Sequence, residues 1–212
     1  KLDLEITEVK FSDIAWKDDS SGFYYNKYPK PLPENRLSQQ SYDAAIYFAD
    51  IRTGEEKLFY GQINPEQNYT VSFIGEDKKI LIKVITGSEE ENFYLFGDSL
   101  ETLEPITPIN QASFNYVHAD DDGLFFITNL EADNYRLVKI LFADFQMVEV
   151  VPEDNFALKG VSFVNDYLIA DYIDHADMRS AIVFFNHSGE QLDVTLPESL
   201  RGTIGGFQGI GD

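Results

Sequence analysis

A unit of about four short strands returns along this chain, and self-similarity at a fixed spacing constrains architecture before any single residue does. It begins at Phe11-Ser12-Asp13-Ile14-Ala15-Trp16 and comes back at Val71-Ser72-Phe73, Phe114-Asn115-Tyr116-Val117 and Val161-Ser162-Phe163, then starts again near Ile204-Gly205-Gly206-Phe207. From Val71 onward these starts lie roughly 43 to 47 residues apart, the length of a β-propeller blade. The first unit is longer. Its excess falls in Tyr28-Pro29-Lys30-Pro31-Leu32-Pro33-Glu34-Asn35-Arg36, a stretch that cannot join a ladder because proline lacks the N–H.

Within the units, period-two alternation dominates. Lys79-Ile80-Leu81-Ile82-Lys83-Val84-Ile85 is short and β-branched, with Gly87-Ser88-Glu89-Glu90 as its turn, which favours a strand over a helix. Leu124-Phe125-Phe126-Ile127-Thr128 with Tyr135-Arg136-Leu137-Val138-Lys139-Ile140, and Tyr167–Tyr172 with Ala181–Phe185, repeat the couple. The best helical window, around Asn165 to Asp177, reads better as strand and loop.

The expected fold is therefore all-β: a partial β-propeller of about four four-stranded blades at about 10–60, 70–109, 113–152 and 158–197, with 201–212 as the first strand of a fifth. Propellers close with about four to eight blades, so the expectation is a segment of a larger ring. The structural alternative is a β-sandwich, since sixteen or so short strands also stack as two sheets.

Apolar residues make up 43% of the 212 and aromatics 14%, ample for a packed core. A net charge of −21 argues against nucleic acid, which is bound by Lys and Arg displacing counterions, and against an anionic membrane surface. It leaves solubility or a basic partner as the use of the charge. No apolar run approaches the roughly 20 residues of a membrane span. With no cysteine, disulfides and thiol chemistry are excluded. The chain opens on Lys1, and a cytoplasmic location is expected, with periplasmic or secreted as the alternative.

Candidate chemistry is sparse. The three histidines, His118, His175 and His187, each fall in an expected loop or turn with no second histidine at metal spacing, so each reads as a surface residue and no metal site is expected. Asp120-Asp121-Asp122-Gly123 resembles the start of a calcium loop, and Glu131 falls twelfth, but Leu124 and Phe125 occupy positions needing an oxygen and a glycine. A hairpin turn between Tyr116 and Phe126 explains these residues. Glu89-Glu90-Glu91 and Asp18-Asp19-Ser20-Ser21-Gly22 read as turns, and no pKa-shifting environment adjoins them. Gly205–Gly211 lacks the lysine and following helix of a phosphate loop. Gly160-Val161-Ser162-Phe163-Val164 comes nearest to a nucleophile elbow but ends in Val. The sequons at Asn68 and Asn186 read as chance occurrences. The many aromatics, among them Phe23, Tyr24, Tyr25, Phe125, Phe126, Phe184 and Phe185, read first as packing between blades. No cofactor is expected.

Val9-Lys10-Phe11-Ser12-Asp13-Ile14-Ala15-Trp16, followed by Gly22-Phe23-Tyr24-Tyr25-Asn26-Lys27-Tyr28-Pro29, resembles the "VKFS.IAW…GFFYNRYP" stretch of the prolyl oligopeptidase propeller. Thr128-Asn129 with Asn134-Tyr135-Arg136-Leu137, then Val151-Pro152-Glu153 and Gly202–Gly209, match in the same order, so the resemblance covers essentially the whole chain and is weakest from 30 to 70. It implies a serine peptidase cleaving short peptides after proline, in which a propeller covers an α/β-hydrolase domain. That domain, with its Ser, Asp and His, lies outside this chain and would be its partner.

In the family the propeller limits access, admitting oligopeptides and shielding the active site from folded proteins. The resemblance gives Phe11 the place of a Phe that helps wall a substrate pocket, whereas by itself Phe11 also reads as an ordinary inter-blade aromatic. Asn68 and Ser88 stand where relatives can have Met and Cys, and Ile85 where some have Arg. The expectation is a lid that is not itself a catalyst, with no catalytic residue and an oligopeptide as the substrate it gates. The competing reading is a stand-alone acidic propeller that binds a basic protein or peptide. The unpaired fifth-blade strand adds an expectation of edge-strand self-association.

Overall fold

The computed structural model describes residues 5–9, 12–30, 43–87, 92–174, 176 and 178–194. The expected strand at 201–212 lies outside them. The described residues form sixteen strands in four separate sheets, divided between two compact units, residues 1–111 and 112–212.

In the first unit, β1 (Ile14–Trp16), β2 (Gly22–Lys27), β3 (Ala45–Asp50) and β4 (Glu56–Gly61) make one sheet. A second contains β5 (Gln67–Ile74), β6 (Lys79–Thr86), β7 (Asn92–Gly97) and β8 (Glu104–Pro105). In the second unit the third sheet holds β9 (Phe114–Ala119), β10 (Gly123–Thr128), β11 (Arg136–Leu141) and β12 (Met147–Val151). The fourth holds β13 (Ala157–Val164), β14 (Tyr167–Asp174), β15 (Arg179–Phe185) and β16 (Gln191–Leu192). Every sheet is an antiparallel meander in chain order. Four sequential meanders are blades; a sandwich would have needed two larger sheets joined by crossing connections.

Register explains the packing in each unit. On β6, Ile80, Ile82 and Val84 lie opposite Phe73, Val71 and Tyr69 of β5, and opposite Gly97, Leu95 and Phe93 of β7. Because side chains alternate across a strand, this set shares one face. It packs on Ala15, Tyr24, Ile46 and Phe59 of the first sheet. Tyr24 is the hub, with Phe48, Phe59 and Phe73 at ring distances of 5.0, 4.7 and 4.8 Å.

The second unit repeats the device. Phe125, Ile127, Leu137 and Val151 of the third sheet face Leu158, Leu168, Ala170, Tyr172 and Phe185 of the fourth. Fully burying one such side chain is worth about 1.5–3 kcal/mol. The reading of the aromatics as packing between blades holds inside the units for Tyr24, Phe125 and Phe185, whereas Phe23 and Tyr25 lie on the other face of the first sheet.

Turn chemistry closes the hairpins. Asp120 Oδ1 accepts the N–H groups of Asp122 and Gly123, so the acidic run is the β9–β10 turn and not a calcium loop. In the β15–β16 turn, Asn186 Oδ1 accepts from the N–H of Ser188 and Glu190 and from the Ser188 hydroxyl. Gly189 follows at φ +80, and a Cβ there would overlap the carbonyl oxygen of Val150 on β12. The outer strands β8 and β16 are only two residues long.

Gly189→Ala and Gly54→Ala separate backbone strain from contact. Gly54 has φ +73 and open space around it, so its substitution should cost about 1 kcal/mol of stability through the left-handed backbone alone. Gly189→Ala should cost clearly more, because the Val150 carbonyl must also move. Urea unfolding of the two variants decides it, and equal midpoints would refute the close contact.

Candidate functional site

Of the four positions singled out by resemblance, Phe11 and Ser88 lie outside the described residues. The other two come together: Asn68 and Ile85 are direct cross-strand partners on β5 and β6. By alternation they occupy the face of the second sheet opposite the one packed on the first. Asn68 Oδ1 accepts a hydrogen bond from the Tyr28 hydroxyl. Tyr28 is buried, burial pushes its pKa up, and it therefore acts as a fixed donor. At this spot the chain presents an amide held in place, not a mobile apolar side chain. Nearby in sequence, Asn26 is buried, its N–H donates to Ser12 Oγ at 2.7 Å, and its Oδ1 has no partner among the described residues.

The opposite face of the first sheet carries a polar knot beside an aromatic row. Glu56 accepts from the Tyr25 hydroxyl and from the Lys27 ammonium, and Lys27 Nζ lies 4.7 Å from the Tyr47 ring centroid. Burial raises the Glu56 carboxyl, but the bonds from Lys27 and Tyr25 and the Lys27 charge outweigh it and leave the pKa lowered. Tyr25 is pushed up, first by burial and then by its bond to Glu56. The row runs from Trp16 to Phe23 at 5.1 Å, Phe23 to Tyr25 at 5.7 Å and Tyr25 to Tyr47 at 6.3 Å, and Trp16 is 54% exposed.

The histidines need one correction. His118 is not in a loop: it lies on β9, half-buried, opposite Phe125 of β10. A register shift between Phe125 and Phe126 lets β9 continue to Ala119, and alternation read from sequence cannot place a bulge. His187 does sit in a turn, with Nε2 3.1 Å from the Asn165 carbonyl oxygen. His175 lies outside the described residues.

No group of three or more His, Cys, Asp or Glu side chains able to hold a metal occurs among the described residues. Ser162 is on strand β13, not on a strained strand-to-helix turn. A shallow cleft of about 510 Å³ beside β16 is lined by Ile182, Val183, Phe184, Gln191, Leu192, Asp193 and Val194. Asp193 is its only titratable group, which is too little for acid–base work. Glu89–Glu91 and Gly205–Gly211 lie outside the described residues. No helix among the described residues is long and apolar enough to cross a membrane. What the arrangement offers is shape: packed seams, a fixed amide and an aromatic row whose Trp16 end is exposed.

Sequence reasoning missed Tyr28, Lys27 and Glu56 as partners. The only signal was that the first two belong to the aromatic stretch ending in Pro29, while Glu56 lies 31 residues from Tyr25.

The Glu56 knot makes stability depend on acid. Because its folded pKa is lowered, its contribution is complete above the ordinary value of 4.5 and is lost as pH falls through the lowered one. Glu56→Gln should cost on the order of 1 kcal/mol at neutral pH and shrink the loss of stability on acidification. Urea midpoints at neutral and acid pH check this; an unchanged acid slope would refute it.

With the geometry in hand, similarity to known proteins is informative. Residues 1–209 match the family described as prolyl oligopeptidase, N-terminal β-propeller domain. Among curated proteins, the prolyl endopeptidase of Elizabethkingia miricola is 27% identical over 217 aligned residues, covering 99% of this chain and 30% of the relative. Prolyl oligopeptidase A of Galerina marginata is 25% identical, covering 91% of this chain and 28% of its own length.

Among solved structures, one from a study of two prolyl endopeptidases and their inter-domain dynamics superposes with a TM-score of 0.78 at 21% identity, over 98% of this chain and 30% of that one. Prolyl oligopeptidase B of Galerina marginata, bound to a 35mer hydrolysis and macrocyclization substrate, gives 0.76 at 22% identity, over 93% and 29%. The chain thus spans less than a third of the length of these relatives. The four meanders are blades of a partial β-propeller, the matched region is the propeller and not a catalytic domain, and the chain belongs to the prolyl oligopeptidase N-terminal β-propeller family.

Proposed function

We propose that this chain is the access-limiting propeller portion of a serine endopeptidase that cleaves short peptides after proline. The observation that carries the reading is the family match over residues 1–209, which spans all four described meanders. Between sheets of the same unit, Tyr24, Phe59 and Phe73 in one case and Phe125 and Phe163 in the other pack together, which supports a stiff lid. Such interiors are packed like crystals and resist deformation.

In this reading the propeller contributes steric selection and one wall. Phe11, by its place in the matched stretch, lines the substrate pocket together with the face that carries Asn68 and Ile85. Acyl transfer belongs to a serine, histidine and aspartate with an oxyanion hole on an α/β-hydrolase domain. The acidic surface serves solubility; nothing in the match favours a stand-alone module for basic partners.

The coding sequence past Asp212 should continue through further blades into a Gly-x-Ser-x-Gly segment, and a stop codon there would refute the proposal. In the resulting full-length enzyme, Phe11→Ala should raise KM for a short proline-containing chromogenic peptide by about tenfold or less, the worth of one apolar contact, with kcat less affected. The purified 212-residue chain should not turn that peptide over.

A further inference from the structure

The fourth sheet buries a carboxylate on the face it does not share with the third. Leu168, Ala170 and Tyr172 of β14 face the third sheet, so by alternation Ile169 and Asp171 point the other way. Their cross-strand partners on β15 are Phe184 and Ile182, and Tyr167 extends the apolar surface, its ring meeting that of Phe184 edgewise at 6.2 Å. Ile182, Phe184 and Leu192 carry this surface into the cleft beside β16. In the middle of it the Asp171 side chain is only 9% exposed. Lys159 Nζ lies 3.6 Å from Oδ2, on a side chain that is 44% exposed, and Oδ1 has no hydrogen-bond partner among the described residues.

Alternation calls for an apolar residue at this place. A carboxylate taken out of water is costly unless charge and hydrogen bonds answer both oxygens, and the sheet answers one. The second donor has to arrive with whatever covers the face. A guanidinium fits this need best, because its planar fork can reach both oxygens at once.

The chain supplies one. After Arg179 its only lysine or arginine is Arg201, three residues before the unit start at Ile204. In two earlier units the residue at that place meets the side of the preceding sheet: Asn68, three before Val71, accepts from Tyr28 just past β2, and Leu158, three before Val161, is buried against the third sheet. Reach is ample. Nine residues lead from Leu192 of β16 to Arg201, enough chain for about 30 Å, whereas β14 lies two strand spacings from β16, about 10 Å.

We propose that the outer face of the fourth sheet is the seat of this chain's own segment 195–212, and that Arg201 locks it there by pairing with Asp171. A single buried charge in an apolar face also sets register: a segment slid along the face would carry Arg201 off the carboxylate and leave both charges without a partner. The inference concerns this chain's own residues and stands apart from the peptidase reading.

The 212-residue chain allows a direct test because it has no cysteine. With Asp171→Cys and Arg201→Cys together, a bismaleimide about as long as an arginine side chain should join the two positions within one chain, as read by peptide mapping. Crosslinks only between chains, which would put a second copy on this face, or no crosslink at all, overturn the proposal. Urea unfolding of Asp171→Asn, Arg201→Gln and the double variant supplies the energetic half. Arg201→Gln should raise the unfolding equilibrium constant at least about fivefold more in the wild type than with Asp171→Asn in place. Arg52→Gln, which removes a positive charge from an exposed turn, should show no such coupling to Asp171→Asn. Additive effects of the Asp171 and Arg201 substitutions overturn the pairing.

Discussion

A four-stranded meander has two faces and cannot bury either one alone, and most of this structure follows from that constraint. Each unit answers it by seating a ring at the seam between its sheets: Tyr24 between Phe48 and Phe59 of its own sheet and Phe73 of the next, and Phe163 against Phe125 and His118 of the neighbouring sheet. The cross-strand register then has to hold, because a slip of one residue would turn Ile80, Ile82 and Val84 away from the seam. Turn residues that fix register, such as Asp120 and Asn186, are therefore as necessary as the core they flank.

The fold was legible because alternation and repeat spacing are properties of the chain itself. Leu124–Thr128 and Tyr167–Tyr172 could be read as strands from their own composition, and the return of the unit gave the meander. What could not be read were contacts set by distant partners or by a bulge. His118 looked like a loop residue because the run of aspartates after it marks a turn, yet the register shift carries β9 past it. Lys27 and Glu56 are polar residues on strands, and nothing in either segment announces that the two charges meet.

The candidate site was legible only in part and for the same reason. Asn68 stood out because its position departs from an apolar pattern, while its anchoring by Tyr28 is a tertiary fact. The sequons also change meaning once partners are known. Asn186 spends its carboxamide oxygen on three donors of its own turn, and Asn68 spends its own on Tyr28, so both side chains hold local structure.

The brevity of β8 and β16 reaches beyond the blades themselves. The last strand of each meander is one of two edges where its sheet exposes unpaired backbone to other molecules, and long flat edges recruit strangers. Here two rims are cut to two residues each, and one of them ends in Pro105, which has no N–H to offer. The other two rims carry charge: Glu56 and Lys57 on β4, and Glu149 paired to Arg136 on β12. In a crowded compartment these four rims would act as a colloidal safeguard on one edge of each sheet, discouraging sideways growth into a fibre from that edge.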